Sequence, residues 1–379
     1  MSSPAQMPHH RRGLKWTYYD DDVLGAWVAE MDFGLAPPIA DALHRAVDVG
    51  LTGYPYPGAE EAAAVAAVRF WADRFDWMID PRWVFPAPDV IEGIRRCIVH
   101  LTRPGSPVIL HTPVYFPFFS MVEEAGREIL EVACRPDEHG RYGLDIDRIE
   151  RGFAAGAGSI VVCNPWNPTG RVLGRTELEE VLTLAERHDA RVIADEIHGL
   201  ITYGEERHTP ISTLDPDRAV TVTAASKAWN LPGLKCAQVV LTNESDRVIW
   251  ERQFTPEKVG VGTFGLFAAE AAYSDGRDWF DGILEHLGSN RDLLTVLVAE
   301  HAASAVFTPP DGTYLAWLDL SAYGLGNPTR YLLEHARVAL TDGGPFRGES
   351  TQFARLNFAT HAEILIEMME RIGRALETV

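Results

Sequence analysis

At 379 residues the chain is long enough for two domains, or for one large domain with a satellite, and 46% hydrophobic and 10% aromatic content is ample for a packed core. A formal charge of −20, from 34 basic against 54 acidic residues with no basic block beyond His9-His10-Arg11-Arg12, argues against a nucleic-acid surface. No stretch has the length and apolarity of a signal peptide or a membrane span, and Cys97, Cys134, Cys163 and Cys236 lack metal-ligand spacing. These features predict a cytoplasmic protein with buried free thiols, no metal and no membrane or nucleic-acid partner.

In chain order, VFPAPDVIEGIRRCI reads as a strand running into a helix, with Asp89 as the N-cap and the backbone of Asp89 and Val90 open to an anion. From residue 107 short apolar runs (PVILH, GSIVVCN, ARVIADE, AVTVTAAS, CAQVVLTN) alternate with helical stretches, among them Thr176–His188 with Leu178, Val181, Leu182 and Leu184 at helical spacing. Such alternation predicts an α/β fold with a mostly parallel central sheet covered by helices on both faces. Past about residue 275 a long helical stretch, TYLAWLDL, a further helix, FARLNFAT and a terminal helix predict a smaller α/β unit. The predicted organisation is residues 1–45 packing with the small domain, 46–275 as the large domain and 276–379 as the small C-terminal domain.

Ligands of open α/β sheets bind beyond the carboxyl ends of the strands. Three residues fall there in sequence: Asn167 in CNPWNPTGR, Asp195 at the end of RVIAD, and Lys227 after AVTVTAAS. Their order matches what pyridoxal 5′-phosphate (PLP) requires. Lys227 supplies a Schiff-base amine that later moves the Cα proton, Asp195 a carboxylate for the pyridine nitrogen, and Asn167 a donor for the ring oxygen. His198, three residues past Asp195, offers a second donor to that oxygen. Ser226, Lys235, Asp89 and Val90 are the expected phosphate ligands, although a carboxylate at Asp89 repels a dianion. In TPVYFPFF, Tyr115 is the expected stacking ring, and Phe116, Phe118 and Phe119 read as core. Arg355, among apolar neighbours in FARLNFAT, is the expected fork for a substrate α-carboxylate.

With those residues assembled, the chain resembles the fold-type I PLP enzymes of the aspartate aminotransferase superfamily. It is most similar to the MalY/PatB branch of cystathionine β-lyases and C–S lyases. The likeness runs through WVAEMDF, TGYPYP, TPVYFPFF, CNPWNPTGRV, ADEIHG, SKAWNLPGLK and ARLNFAT. The resemblance implies a small-molecule amino-acid substrate and a homodimer with shared active sites, in which Tyr54 reaches the phosphate of the neighbouring subunit. It implies cleavage of L-cystathionine or a related cysteine S-conjugate to a thiol, pyruvate and ammonia. Because an aminotransferase needs the same lysine, aspartate and arginine, that activity is the alternative, and a PLP-binding regulatory protein is a third. Departures from the branch pattern are Lys235 for an arginine, Phe116 for a tyrosine, Trp166 for a histidine and Glu30 for an aspartate.

Overall fold

The computed structural model describes residues 13–204, 207–254 and 260–379. The basic run at residues 9–12 lies outside them. Seven strands form the central sheet: β2 (Val84–Ala87), β3 (Val108–Thr112), β4 (Ile129–Ala133), β5 (Ser159–Cys163), β6 (Arg191–Asp195), β7 (Ala219–Thr223) and β8 (Ala237–Val240). Their spatial order is β2-β8-β7-β6-β5-β3-β4. All neighbours from β7 to β4 are parallel, and β8 alone runs antiparallel to both β2 and β7.

The apolar runs are continuous because both faces are covered. Leu110, Val161, Ile193 and Val222 join one core layer, and Ile109, Ile160, Val192 and Ala219 join the layer on the opposite face. The helix α4 (Val90–Leu101) buries Val90, Ile94, Cys97, Ile98 and Leu101 against the first layer. Its approach depends on Gly93, where a Cβ would stand 2.9 Å from Val222 Cγ1 and 3.1 Å from Val239 Cγ2. The helix α7 (Arg175–Arg187) buries Leu178, Val181, Leu182, Leu184 and Ala185 on the other face.

In the C-terminal part, β12 (Thr341–Asp342), β13 (Phe353–Asn357), β10 (Leu315–Asp319) and β9 (Val306–Phe307) form an antiparallel sheet in that order. Arg355 on β13 pairs in register with Trp317 on one side and Thr341 on the other. The N-terminal segment joins this part through β1 (Leu24–Gly25), which pairs parallel with β11 (Val338–Ala339). A buried ion pair fixes the segment further, with Lys15 Nζ 2.9 Å from Asp32 Oδ2 and the Trp16 indole donating to Asp32 Oδ1 at 2.6 Å. Cys97, Cys134 and Cys163 are buried thiols; Cys236 departs from the expectation, being half-buried. No helix among the described residues is long and apolar enough to cross a membrane.

Candidate active site

The carboxyl ends of β5, β6 and β7 are level, with Cys163 opposite Asp195 and Asp195 opposite Val222. Beyond them opens a cavity of about 360 Å³. Lys227, Asp195, Asn167, His198, Tyr115, Ser226, Lys235, Asp89, Val90 and Arg355 all line it. Of the sequence-predicted site residues Tyr54 alone does not; its side chain is 96% exposed on the surface.

Asp195 is the last residue of β6, one position inside the strand rather than just past it, and its Oδ1 accepts the Ile197 N–H at 3.0 Å. Burial pushes its carboxyl up to about 7, against the pull of that N–H and of Lys227. Burial, reinforced by the nearby charge of Arg355, draws Lys227 down to about 8. The Lys227 ammonium donates to the Ala29 carbonyl at 2.9 Å, and the buried Tyr314 hydroxyl donates to the same oxygen at 2.9 Å. His198 lies edge-on to Tyr314 and is held well below its usual 6.5, first by burial and then by Lys227 and Arg355. It is therefore a neutral imidazole at physiological pH.

Asn167 and Arg355 act on each other. Arg355 Nη1 donates to Asn167 Oδ1 at 2.9 Å, while Nη2 reaches the Trp27 carbonyl at 3.2 Å and Thr341 Oγ1 at 3.1 Å. With its carbonyl oxygen held by the guanidinium, Asn167 leaves its NH₂ as the end free to donate. The turn that carries Asn167 is closed by Trp166, whose N–H donates to the Arg171 carbonyl at 2.7 Å and whose indole donates to the Pro113 carbonyl at 2.6 Å. Gly170, at φ +72°, closes it further, because a Cβ there would meet Pro310 Cβ at 2.3 Å. Burial lowers Arg355 to about 10, still charged at neutral pH.

At the other end of the cavity Asp89 caps α4, its Oδ1 accepting the Glu92 N–H at 2.9 Å. Its second oxygen does not turn to the helix amides but accepts from Lys235 Nζ at 2.9 Å. Tyr115 lines the wall and its phenol is raised by burial. Phe116, expected in the core, is 38% exposed and lines the cavity, while Phe118 and Phe119 are buried.

Ala29, Thr341, Trp27 and Cys236 also line the cavity and were not foreseen. Ala29 acts through a backbone oxygen, which leaves no trace in composition, and Thr341 is brought in by the pairing of its two-residue strand with the strand of Arg355. WVAEMDF did carry Trp27 and Ala29 within a run that marked the resemblance.

The donor set fits PLP. A buried carboxylate, a half-buried amine of lowered basicity and an imidazole stand together, and His198 Nδ1 and Arg355 Nε are buried without a hydrogen-bond partner. No cluster able to hold a metal ion occurs among the described residues.

Residues 29–372 match the family model for aminotransferase class I and II, and the chain belongs to that family. Among its curated relatives are the cystathionine beta-lyase of Corynebacterium glutamicum, 39% identical over 97% of each chain, and the cystathionine beta-lyase PatB of Bacillus subtilis, 31% identical over 94% of this chain and 93% of that one. A solved structure from Corynebacterium diphtheriae, assigned as a PLP-dependent β-cystathionase, superposes with a TM-score of 0.91 at 39% identity, covering 97% of this chain and 96% of that one. The fold is the α/β fold of these PLP enzymes, and the chain stands with their C–S lyase branch.

Proposed function

We propose that the protein is a PLP-dependent C–S β-lyase that cleaves L-cystathionine, or a related cysteine S-conjugate, to a thiol (homocysteine from cystathionine), pyruvate and ammonia. The observation that carries this reading is the convergence of buried Asp195, His198 and Arg355 with half-buried Lys227 in one cavity, supported by lyase relatives that match nearly end to end. Bound PLP supplies an electron sink for the pair left at Cα when its proton departs, which lets the Cβ–S bond break.

The chain's own residues do the rest. Lys227 holds the cofactor and, once displaced by the substrate amine, takes the Cα proton; its depressed basicity leaves a large neutral fraction near pH 8. Asp195 holds the proton of the pyridine nitrogen. Asn167, turned by Arg355, and His198 donate to the ring oxygen, and Tyr115 covers the ring face. Ser226, Lys235 and the amides of Asp89 and Val90 receive the phosphate. Arg355 takes the substrate carboxylate, with Thr341 and the Trp27 carbonyl fixing the guanidinium plane.

The protein acts in the cytoplasm as a homodimer. Val47, Val49, Leu51, Tyr54 and Tyr56 are exposed within one short stretch, an apolar surface suited to a second copy that would place Tyr54 at its partner's phosphate. Mass by light scattering checks the dimer. The activity is checked by incubating the PLP-loaded protein with L-cystathionine and no keto acid. Pyruvate and a free thiol are expected in equal amounts over many turnovers. Negligible pyruvate, with transfer of the substrate's amino group once a keto acid is added, would transfer the reading to an aminotransferase.

A further inference from the structure

The phosphate end of the cavity contains an anion of its own. Asp89 Oδ1 takes the Glu92 N–H, one of the first-turn amides of α4 that have no partner within the helix. Asp89 Oδ2 accepts a hydrogen bond from Lys235 Nζ at 2.9 Å. One carboxylate thus touches both features that attract a phosphate to this wall, the helix N-terminus and the lysine.

Lys235 is held in place by its surroundings. It adopts the left-handed conformation, φ 55° and ψ 66°, which costs about 1 kcal/mol or more for a residue with a side chain. Its carbonyl accepts the Gly262 N–H at 2.9 Å. The preceding carbonyl, of Leu234, lies so close to the start of the helix Thr263–Asp275 that a Cβ on Gly262 or Gly265 would stand 2.6 or 2.3 Å from it. The backbone is thereby fixed with the ammonium on the cavity wall beside Asp89.

Resting on the PLP reading above, we propose that Asp89 is a built-in competitor for the cofactor's phosphate and sets how firmly the enzyme retains it. A phosphate on the amides of Asp89 and Val90 has to share Lys235 with this carboxylate and sit beside a like charge. An ammonium can serve both, since it has three N–H donors and one goes to Asp89. The repulsion remains. The opposing role for Asp89 is as an anchor that pre-positions Lys235, and the two roles predict opposite signs when only the charge is removed.

Asp89→Asn makes that change, because asparagine caps a helix as well as aspartate does. The full-length chain, stripped of cofactor, is titrated with PLP and with phosphate-free pyridoxal, following quenching of tryptophan fluorescence. Inorganic phosphate is then used as a competitor of PLP. Asp89→Asn should bind PLP about three- to tenfold more tightly, the scale of one screened unit-charge contact, with inorganic phosphate competing more strongly by a similar factor. Pyridoxal affinity should not change. Unchanged or weaker PLP binding overturns the proposal, as does an equal gain for pyridoxal. Asp89→Ser, which keeps a capping hydroxyl, is read in the same assays if the asparagine variant unfolds. If neither parent nor variant takes up PLP, the cofactor assignment itself falls; uptake with unchanged affinity overturns only the role of Asp89.

Discussion

At the end of the cavity built by β5, β6 and β7, Asp195, His198 and Arg355 are buried and Lys227 is half-buried, and loss of contact with water is the largest cause of each displaced pKa. At the end built by α4 and the loop before β8, the side chains of Asp89 and Lys235 are 40% and 58% exposed and pair directly with each other. In the buried end the surrounding protein fixes each protonation state, so removing one group leaves its neighbours uncompensated. At the exposed end water and salt share the work, and single changes act weakly. On the proposed reading, chemistry and cofactor retention are therefore separable in this site, the first governed by desolvation and the second by a surface ion pair.

The predictions follow that gradient. Lys227→Ala should have the largest effect, lowering turnover by about 10⁴-fold or more, because both the cofactor's attachment and the base are lost. Peptide mass after borohydride reduction checks the attachment, and label on any other lysine would refute it. Asp195→Asn should lower the rate by about 10³-fold, as expected when a positioned charge is removed, while some PLP still binds.

The same variant tests the burial cost. The folded chain raises Asp195 from 3.8 to about 7, so it binds that proton more firmly than the unfolded chain does. The associated stability is present below about pH 4 and is lost as pH rises toward 7. Without cofactor, Asp195→Asn should therefore be more stable than the parent by about 2–4 kcal/mol above pH 7, with the gain vanishing near pH 4. Of the charges facing the same carboxylate, Lys227 trims the shift without reversing it and Glu196 adds to it. Thermal unfolding across this range provides the check.

Arg355→Lys should raise KM by about 10- to 100-fold, the loss of one charge-assisted hydrogen bond of 1.5–3 kcal/mol, with a smaller fall in kcat. Initial rates against substrate concentration separate the two. The smallest change is expected at the exposed end. Lys235→Ala should weaken PLP binding by about tenfold at low ionic strength, and less as salt is added. A loss independent of salt would place Lys235 with the buried groups.

Much of the buried end was legible in the sequence, because its residues sit at strand ends and apolar runs mark strands well. Asn167, Asp195 and Lys227 each follow or end such a run, and parallel pairing brings those ends level. Strand direction was not legible: AQVV has the same apolar character as its neighbours yet runs antiparallel between β7 and β2. Nor was the second partner of Asp89, since its capping role is local but Lys235 arrives from far along the chain. Phe116 and Cys236 were read as buried because aromatic and thiol side chains usually are; both lie on the cavity wall.

The carbonyl oxygen of Ala29 receives both the Lys227 ammonium and the Tyr314 hydroxyl. Every amino acid presents that same oxygen, so no exchange of side chains at position 29 deletes it. A mutational survey would score residue 29 by the bulk of what replaces its methyl group and pass over the acceptor altogether. Only altering the peptide link itself, for instance by an ester that weakens the carbonyl as an acceptor, would expose its part in holding the lysine. In that sense a piece of this site is written in the main chain and is invisible to genetics.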